Sequence, residues 1–415
     1  MSLCFAAAVF SVSVALWRLL LAAALVGTAS STVFFVMVMA AALRNRRMAR
    51  EAESANSAAV GALLPAVTIL KPLHGAEPRL EENLGSFFVQ DYPDYEIVVG
   101  CRQASDPALE VVERLRARYP QVKVRVVLSG EPEWPSAKVW SLEKMIASTQ
   151  NDFLVISDSD ILVRPDFLRN VIPPLFELAN GLVTCLYAGV PAADLWSVLE
   201  ALGMSVEMAS GVIAAEMLEG MQFALGSVMA VRRDALERVG GIAAMSEYYS
   251  DDFVLGNRVY ESGYKVVLSH YRVGHVLCTQ SFRKTFATQM RWMQSTRYSR
   301  PKGHLGTGLT FAMPFGLLGL AAGVALGYPA LGLALLAAAA VNRMAQCLVV
   351  GYGLIGDRRA LEFCWLYPLR DLMGFFVWAA SYLGGSSFRW RGELYRFTPG
   401  GRIVSVRRIE EARPD

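Results

Sequence analysis

Charge is what this chain has least of. Asp, Glu, Lys and Arg make up 19% of its 415 residues, against 54% hydrophobic residues, where an ordinary soluble protein carries about a quarter charged. The deficit is local: residues 19–43 contain no charge across 25 positions, enough for one helix to cross a bilayer. Cysteine is also sparse. Cys4, Cys101, Cys185, Cys278, Cys347 and Cys364 are scattered without a Cys-x-x-Cys, which argues against a zinc site or disulfide framework and fits a reducing compartment. Internal repeats and low-complexity runs are missing. The net charge of +3 gives no basic field for nucleic acid, so none is expected as a partner.

No positive n-region precedes the first apolar stretch, which is longer than the core of a signal peptide. Residues 1–50 are therefore read as a membrane anchor rather than a cleaved signal. Residues 1–17 are apolar too and fit either a partial second span or an overlong start. The cluster Arg44, Arg46, Arg47 and Arg50 places the chain beyond it in the cytoplasm. A second uncharged stretch, residues 305–342, is too long for one span. Gly327-Tyr328-Pro329 can break it, giving one span before the break and another over about 330–355. A third apolar stretch, 361–385, contains Arg370-Asp371. Three to five spans are expected, hence a multi-pass protein with a membrane region over 305–385 and a basic tail over 386–415. Arg343 and Asp371 are costly inside such helices; either they pair across neighbouring helices and brace a lipid-acceptor portal, or these segments are short interfacial helices with the charges at the headgroups.

Residues 51–61, rich in Ala, Ser and Asn, read as a linker. From Pro65 the pattern turns α/β. Strands are expected at 67–70, 96–101, 122–128 and 153–156, with helices over 78–89, after Asp106-Pro107, and over 138–147. Strand-like runs come next at 183–190 and 223–232, then a helix stopped by Gly240-Gly241. Such alternation predicts one cytoplasmic α/β domain over 62–300, a largely parallel sheet with helices on both faces. It closes on a Phe-, Met-, Trp-, Arg- and Lys-bearing helix over 282–300, suited to lie among lipid headgroups or, alternatively, on the domain surface as an ordinary amphipathic helix.

The chemistry-bearing residues fall in a particular order. Asp158-Ser159-Asp160 closes the apolar run Phe153-Leu154-Val155-Ile156, where open α/β sheets place ligands. Two carboxylates one residue apart can hold Mg²⁺ or Mn²⁺, and such an ion clamps a diphosphate. Asp106 is placed to cap a helix or to contact a nucleoside. Lys138 starts a helix within reach of phosphate. Asp251-Asp252 opens another helix and offers a general base. Arg291 and Trp292 present a guanidinium for a diphosphate and an aromatic face for sugar or lipid.

Ile69-Leu70-Lys71-Pro72-Leu73, Gln90-Asp91-Tyr92-Pro93-Asp94-Tyr95-Glu96, Ser105-Asp106-Pro107, Ser157-Asp158-Ser159-Asp160, Gly226-Ser227, Gly240-Gly241, Asp251-Asp252-Phe253, Arg291-Trp292 and the tail pattern Trp390-Arg391-Gly392 to Tyr395-Arg396 together resemble the ceramide glucosyltransferase family. It belongs among the lipid-linked inverting glycosyltransferases of GT-A fold, and the likeness runs over about residues 65–400. The resemblance implies a UDP-sugar donor, a membrane-lipid acceptor, a divalent metal on Asp158 and Asp160, and inversion at the anomeric carbon. Asp252 takes the base position beside Asp251. Lys71, Pro72, Asp106, Lys138, Asp158, Ser159, Gln289, Arg291 and Trp292 are the implied donor-binding residues. Two departures stand out. The closing motif of the family begins with Gln or Arg three residues before Arg-Trp, but here that position is Thr288 and Gln289 comes one late. Animal members have Asp-Ser-Gly where this chain has Asp-Ser-Asp, a pattern more like a bacterial branch and an inner membrane. That branch also contains similar enzymes that place N-acetylglucosamine on hopanoids, so ceramide and hopanoid acceptors both remain open. A polysaccharide synthase has too few spans here to form its channel. A transporter with a nucleotide-sensing domain would need repeated helical halves, and a catalytically dead scaffold would lack the carboxylates.

Overall fold

The computed structural model describes residues 2–58, 64–278, 281–390 and 393–408. The end of the expected linker, Arg391-Gly392 of the tail pattern, and residues 409–415 lie outside them. The chain forms two compact units. One contains Met1–Arg44, Leu202–Ala214 and Phe282–Gly385; the other contains Asn45–Ala201, Ala215–Ser281 and Ser386–Asp415.

The second unit is α/β. Its strands are β1 (Val67–Pro72), β2 (Tyr95–Cys101), β3 (Lys123–Leu128), β4 (Phe153–Ser157), β5 (Ile161–Leu162), β6 (Asn180–Val190), β7 (Val228–Arg232) and β8 (Lys265–Val276). They form one sheet in the order β3-β2-β1-β4-β7-β6-β8-β5. The half from β3 to β4 is parallel. β7 runs antiparallel between β4 and β6, β6 and β8 are parallel, and β5 is antiparallel to β8. This is the GT-A arrangement that the resemblance implied. Val67 to Lys71 are all fully buried, as expected of a strand covered on both faces. β3, at the sheet edge, alternates between exposed and half-buried residues.

Three boundaries differ from expectation. The N-terminal helix, Ser2–Ala58, continues into the segment read as a linker, because Ala, Glu, Ser and Asn over 51–58, without Pro or Gly, do not stop a helix. The expected helix at 78–89 is one α-helical turn and a half, Leu80–Gly85, tightened to 3-10 geometry over Ser86–Val89. The run at 223–232 becomes strand only from Val228. Before it, the Leu225 amide donates to the Thr184 hydroxyl at 2.9 Å instead of joining the ladder. The tail holds structure that its basic composition hid: β9 (Ser387–Trp390), β10 (Glu393–Phe397) and β11 (Ile403–Arg408) form an antiparallel sheet.

The helical unit bears out the predicted break. Met313–Ala325 ends before Gly327, whose φ is 79°, and Pro329 opens the next helix, Pro329–Gln346. These two helices pack through small residues. A Cβ added at Gly316 would lie 2.7 Å from the Ala339 Cβ, and one at Gly332 would lie 2.9 Å from the Leu320 backbone. Such close approach is how helices associate without a hydrophobic drive. Arg343 and Asp371 pair as expected, Nη1 to Oδ1 at 3.2 Å, both buried. Among the described residues, three helical runs are long and apolar enough to cross a membrane: Ser13–Glu51, Leu195–Glu219 and Pro329–Ile355. The second was not foreseen. Glu200, Glu207 and Glu216 interrupt it, so it never reads as an uncharged stretch.

Candidate active site

The site is built at the carboxyl ends of β1 and β4. Lys71, on β1, is fully buried with its ammonium 4.0 Å from the Phe87 ring centroid. It donates to the Ser157 hydroxyl at 3.3 Å and to the Asp158 carbonyl, and so fixes the backbone where the acidic motif begins. Burial pulls its pKa down to about 7, although Asp158, Asp160 and Glu77 oppose the fall. Pro72 ends the strand opposite Gly100.

Lys138 joins the two acidic motifs. Ser136 caps its helix, Ala137–Ala147, by accepting from the Val139 amide. That cap presents the Lys138 ammonium 2.9 Å from Asp158 Oδ1 and 3.2 Å from Asp251 Oδ2. Burial disfavours its charge, but Asp158 and Asp251 outweigh burial and raise its pKa. Asp251 and Asp252 open the helix Asp251–Glu261, where the dipole favours negative charge. Their roles separate, because Asp251 is engaged by Lys138. The pKa of Asp252 is pushed up to about 6, first by burial and then by the neighbouring Asp251, with Lys138 partly opposing. A Cβ built on Gly226 would stand 2.9 Å from Asp252 Oδ2 and 3.7 Å from Asp158 Oδ2. Glycine at 226 is what allows Asp252 to sit beside Asp158.

Asp160 is held by a residue that the sequence reading missed. His275, on β8, pairs with Ile161 in register, and its Nε2 lies 3.3 Å from Asp160 Oδ2. Burial disfavours the imidazolium, but Asp160 and Asp158 more than compensate and raise the pKa of His275. A single histidine in a strand has no spacing signature, so only the β5–β8 pairing could reveal it. Asp160 Oδ1 is buried without a hydrogen-bond partner. Ser159 donates to Glu77, a second carboxylate that went unread. Among the described residues, no three His, Cys, Asp or Glu side chains form a ready-made metal cage.

Asp106 performs the expected capping. Its Oδ1 accepts from the Ala108 amide at 2.9 Å and from the Gly75 amide at 3.0 Å. Gln289, Arg291 and Trp292 belong to the other unit, on the helix Phe282–Ser299. There Gln289 Oε1 accepts from Arg370 Nη2 at 3.0 Å, and Arg370 Nη2 also lies 3.0 Å from Glu207.

The sequence profile of glycosyl transferase family 21 matches residues 19–403. Ceramide glucosyltransferase 3 of Caenorhabditis elegans is 23% identical over 349 residues, 82% of this chain and 74% of the relative. A beta-monoglucosyldiacylglycerol synthase from Synechocystis is 28% identical over 182 residues, 42% of this chain and 36% of the relative. Among solved structures, the mannosyltransferase PcManGT from Pyrobaculum calidifontis, in complex with GDP-Man and Mn²⁺, is 20% identical with a TM-score of 0.43. That match covers 85% of this chain and 98% of the mannosyltransferase.

Proposed function

We propose that this chain, which belongs to glycosyl transferase family 21, moves glucose from UDP-glucose to the hydroxyl of a ceramide-like lipid, inverting the anomeric centre. Its kinship with lipid glucosyltransferases makes it a glycosyltransferase of membrane lipids, and the transporter alternative falls with that. The observation that carries the finer reading is the joining of the two acidic motifs by one half-buried lysine, Lys138, which pairs with both Asp158 and Asp251.

The residues fit a hard divalent cation. Asp160 Oδ1 is a buried carboxylate oxygen without a partner, and His275 fixes the other oxygen of the same group, as outer-shell residues do for metal ligands. Mg²⁺ commonly takes one or two protein carboxylates and fills its shell with phosphate and water, so no three-ligand cage is required. Asp158 and Asp160 would hold Mg²⁺ or Mn²⁺, and the chemistry such an ion supplies is neutralisation of charge on the departing diphosphate. Lys138 adds a fixed positive charge in the same place. Asp252 takes the proton from the acceptor hydroxyl. The hydroxyl oxygen then bonds to the anomeric carbon from the face opposite UDP, whose bond to the sugar breaks. Burial and the carboxylate of Asp251 raise the proton affinity of Asp252, and Lys138 limits the rise, which leaves Asp252 a base near neutral pH. Asp106 and Ser159 both bond the segment after β1, at Gly75 and Glu77. For Lys71, Pro72, Gln289, Arg291 and Trp292, the donor-binding role rests on the motif alone. The catalytic unit faces the cytoplasm of a multi-pass protein in this reading, on the strength of the arginine cluster after the first span.

Radiolabel transfer by the detergent-purified chain tests the proposal. UDP-glucose and UDP-N-acetylglucosamine are offered with ceramide and bacteriohopanetetrol in all pairings, with and without Mn²⁺. Glucosylceramide formed only with metal is the expected product. A glucosaminyl-hopanoid would overturn donor and acceptor while leaving the chemistry, and no transfer in any pairing would overturn both.

A further inference from the structure

The residues leading into Asp251-Asp252 are held from outside their own helix. At one end, the Ser136 amide donates to the Ser246 carbonyl at 3.0 Å, tying this segment to the cap of the Lys138 helix. At the other, the C-terminal sheet grips the next three residues. The Ile403 amide donates to the Glu247 carbonyl at 2.6 Å and the Tyr249 amide to the Gly401 carbonyl at 3.3 Å. Tyr248 and Arg402 form an antiparallel bridge.

Side chains repeat the grip. Arg402 Nε donates to the Tyr248 hydroxyl at 3.1 Å, its guanidinium lies 5.4 Å from the Tyr248 ring, and its Nη1 is 3.7 Å from Glu247. Arg258, on the base helix, also lies over the Tyr248 ring, at 5.7 Å. Tyr249 meets Phe388 and Phe397 edge-on at 5.0 and 5.4 Å, and those two stack on one another at 4.4 Å. Phe388, Tyr395 and Phe397 are all buried. A three-stranded sheet is the least that stands in water, and only with an apolar face covered; here Tyr249 contributes to that cover.

We infer that the C-terminal three-stranded sheet is a positioning clamp for the catalytic carboxylates, with Arg402 as its principal side chain. The inference rests on the reading of Asp252 as base. Residues 246–250 link three things that must agree in space: the cap of the Lys138 helix, the start of the Asp251-Asp252 helix, and the sheet. Holding the segment fixes the base without touching the donor. A displacement of about 1 Å at a catalytic group costs on the order of 100-fold in rate, so a clamp of this kind acts on turnover rather than on donor binding.

The test uses the full chain in lipid nanodiscs with Arg402→Ala, Arg402→Lys and Ile403→Pro, the last removing the amide that donates to Glu247. Hydrogen exchange of amides 247–252, the melting temperature, kcat and donor KM are measured together. Expected are about tenfold faster exchange confined to that segment and a kcat lowered by about 10–100-fold. Donor KM should stay within about twofold, and Arg402→Lys, which keeps the cation over Tyr248, should restore most of kcat. Unchanged exchange and turnover in both Arg402→Ala and Ile403→Pro would overturn the clamp. So would a loss of kcat that tracks a lower melting temperature and a rising KM, the pattern of plain structural damage. If the unmodified chain transfers no sugar, the functional reading fails, while exchange at 247–252 still decides whether the sheet holds that segment.

Discussion

Asp252 illustrates how one residue is tuned by its neighbours. Burial and Asp251 raise its pKa to about 6, and Lys138 limits the rise. Since a base works only when deprotonated, kcat/KM is expected to fall about tenfold per pH unit below about pH 6 and to be flat just above it. An acid limb absent down to pH 5 would exclude Asp252 as the titrating base. Replacing it by Asn keeps shape and removes basicity, so turnover should drop by about 10²–10⁴-fold while UDP-glucose affinity, followed calorimetrically, changes little. Gly226 gives a second test. An added methyl would sit 2.9 Å from Asp252 Oδ2, so Gly226→Ala must displace the carboxylate. A kcat reduced by about tenfold or more in a protein of normal melting temperature is the expected result, and a wild-type kcat would show that the carboxylate has room to move. The motif residues were legible because their type and order carry chemistry. His275, Glu77 and the part played by Gly226 were not, because each matters only through a neighbour distant in the chain.

The helical elements depend on a buried pair with more than one duty. Asp371 Oδ2 accepts from the Ala312 and Met313 amides at 3.0 and 2.8 Å, at the start of the helix Met313–Ala325, while Oδ1 faces Arg343. Arg343 Nη1 also donates to the Thr310 carbonyl at 3.1 Å. Swapping the two charges would therefore lose the helix-start contacts even where the pair reforms. Asp371→Asn keeps an oxygen for those amides but leaves the buried guanidinium, still hydrogen-bonded to Asn342 and Thr310, without its counter-charge, a loss of about 3–5 kcal/mol. Adding Arg343→Met removes the stranded charge. The double variant should thus melt above Asp371→Asn alone in a thermal-shift measurement in nanodiscs, and a double variant that melts lower would show that the two residues are not coupled. The pairing and the break at Gly327 could be foreseen, since an isolated intramembrane charge is costly and Gly-Tyr-Pro is a local stop. Leu195–Glu219 could not, because its glutamates are tolerated only through partners such as Arg370 beside Glu207. The tail sheet escaped for a related reason, its apolar face being completed by Tyr249, far away in sequence.

For the molecule as a whole, a net charge of +3 conceals a local excess of negative charge where the proposed function puts the donor diphosphate. Asp158, Asp160, Asp251 and Asp252 converge there, and Lys138 already bridges two of them. His275 compensates Asp160, and Lys71 is spent on the backbone of Asp158. A diphosphate brought to this surface without a cation meets like charges in a partly buried setting, where repulsion is poorly screened. On the proposed reading, that imbalance predicts metal dependence. Chelation with EDTA should weaken UDP-glucose binding by about tenfold or more, equivalent to at least about 1.4 kcal/mol, and should stop transfer. Readdition of Mn²⁺ or Mg²⁺ should restore both, and Ca²⁺, larger and with looser geometry, should restore less. Asp160→Asn should blunt the metal response of donor binding while leaving the melting temperature of the metal-free protein nearly unchanged, a separation that calorimetry and thermal shift together can read. Full donor affinity in EDTA would mean that Lys138 alone offsets the diphosphate, and Asp158 and Asp160 would then have to be reassigned from metal ligands to fixed partners of Lys138 and His275.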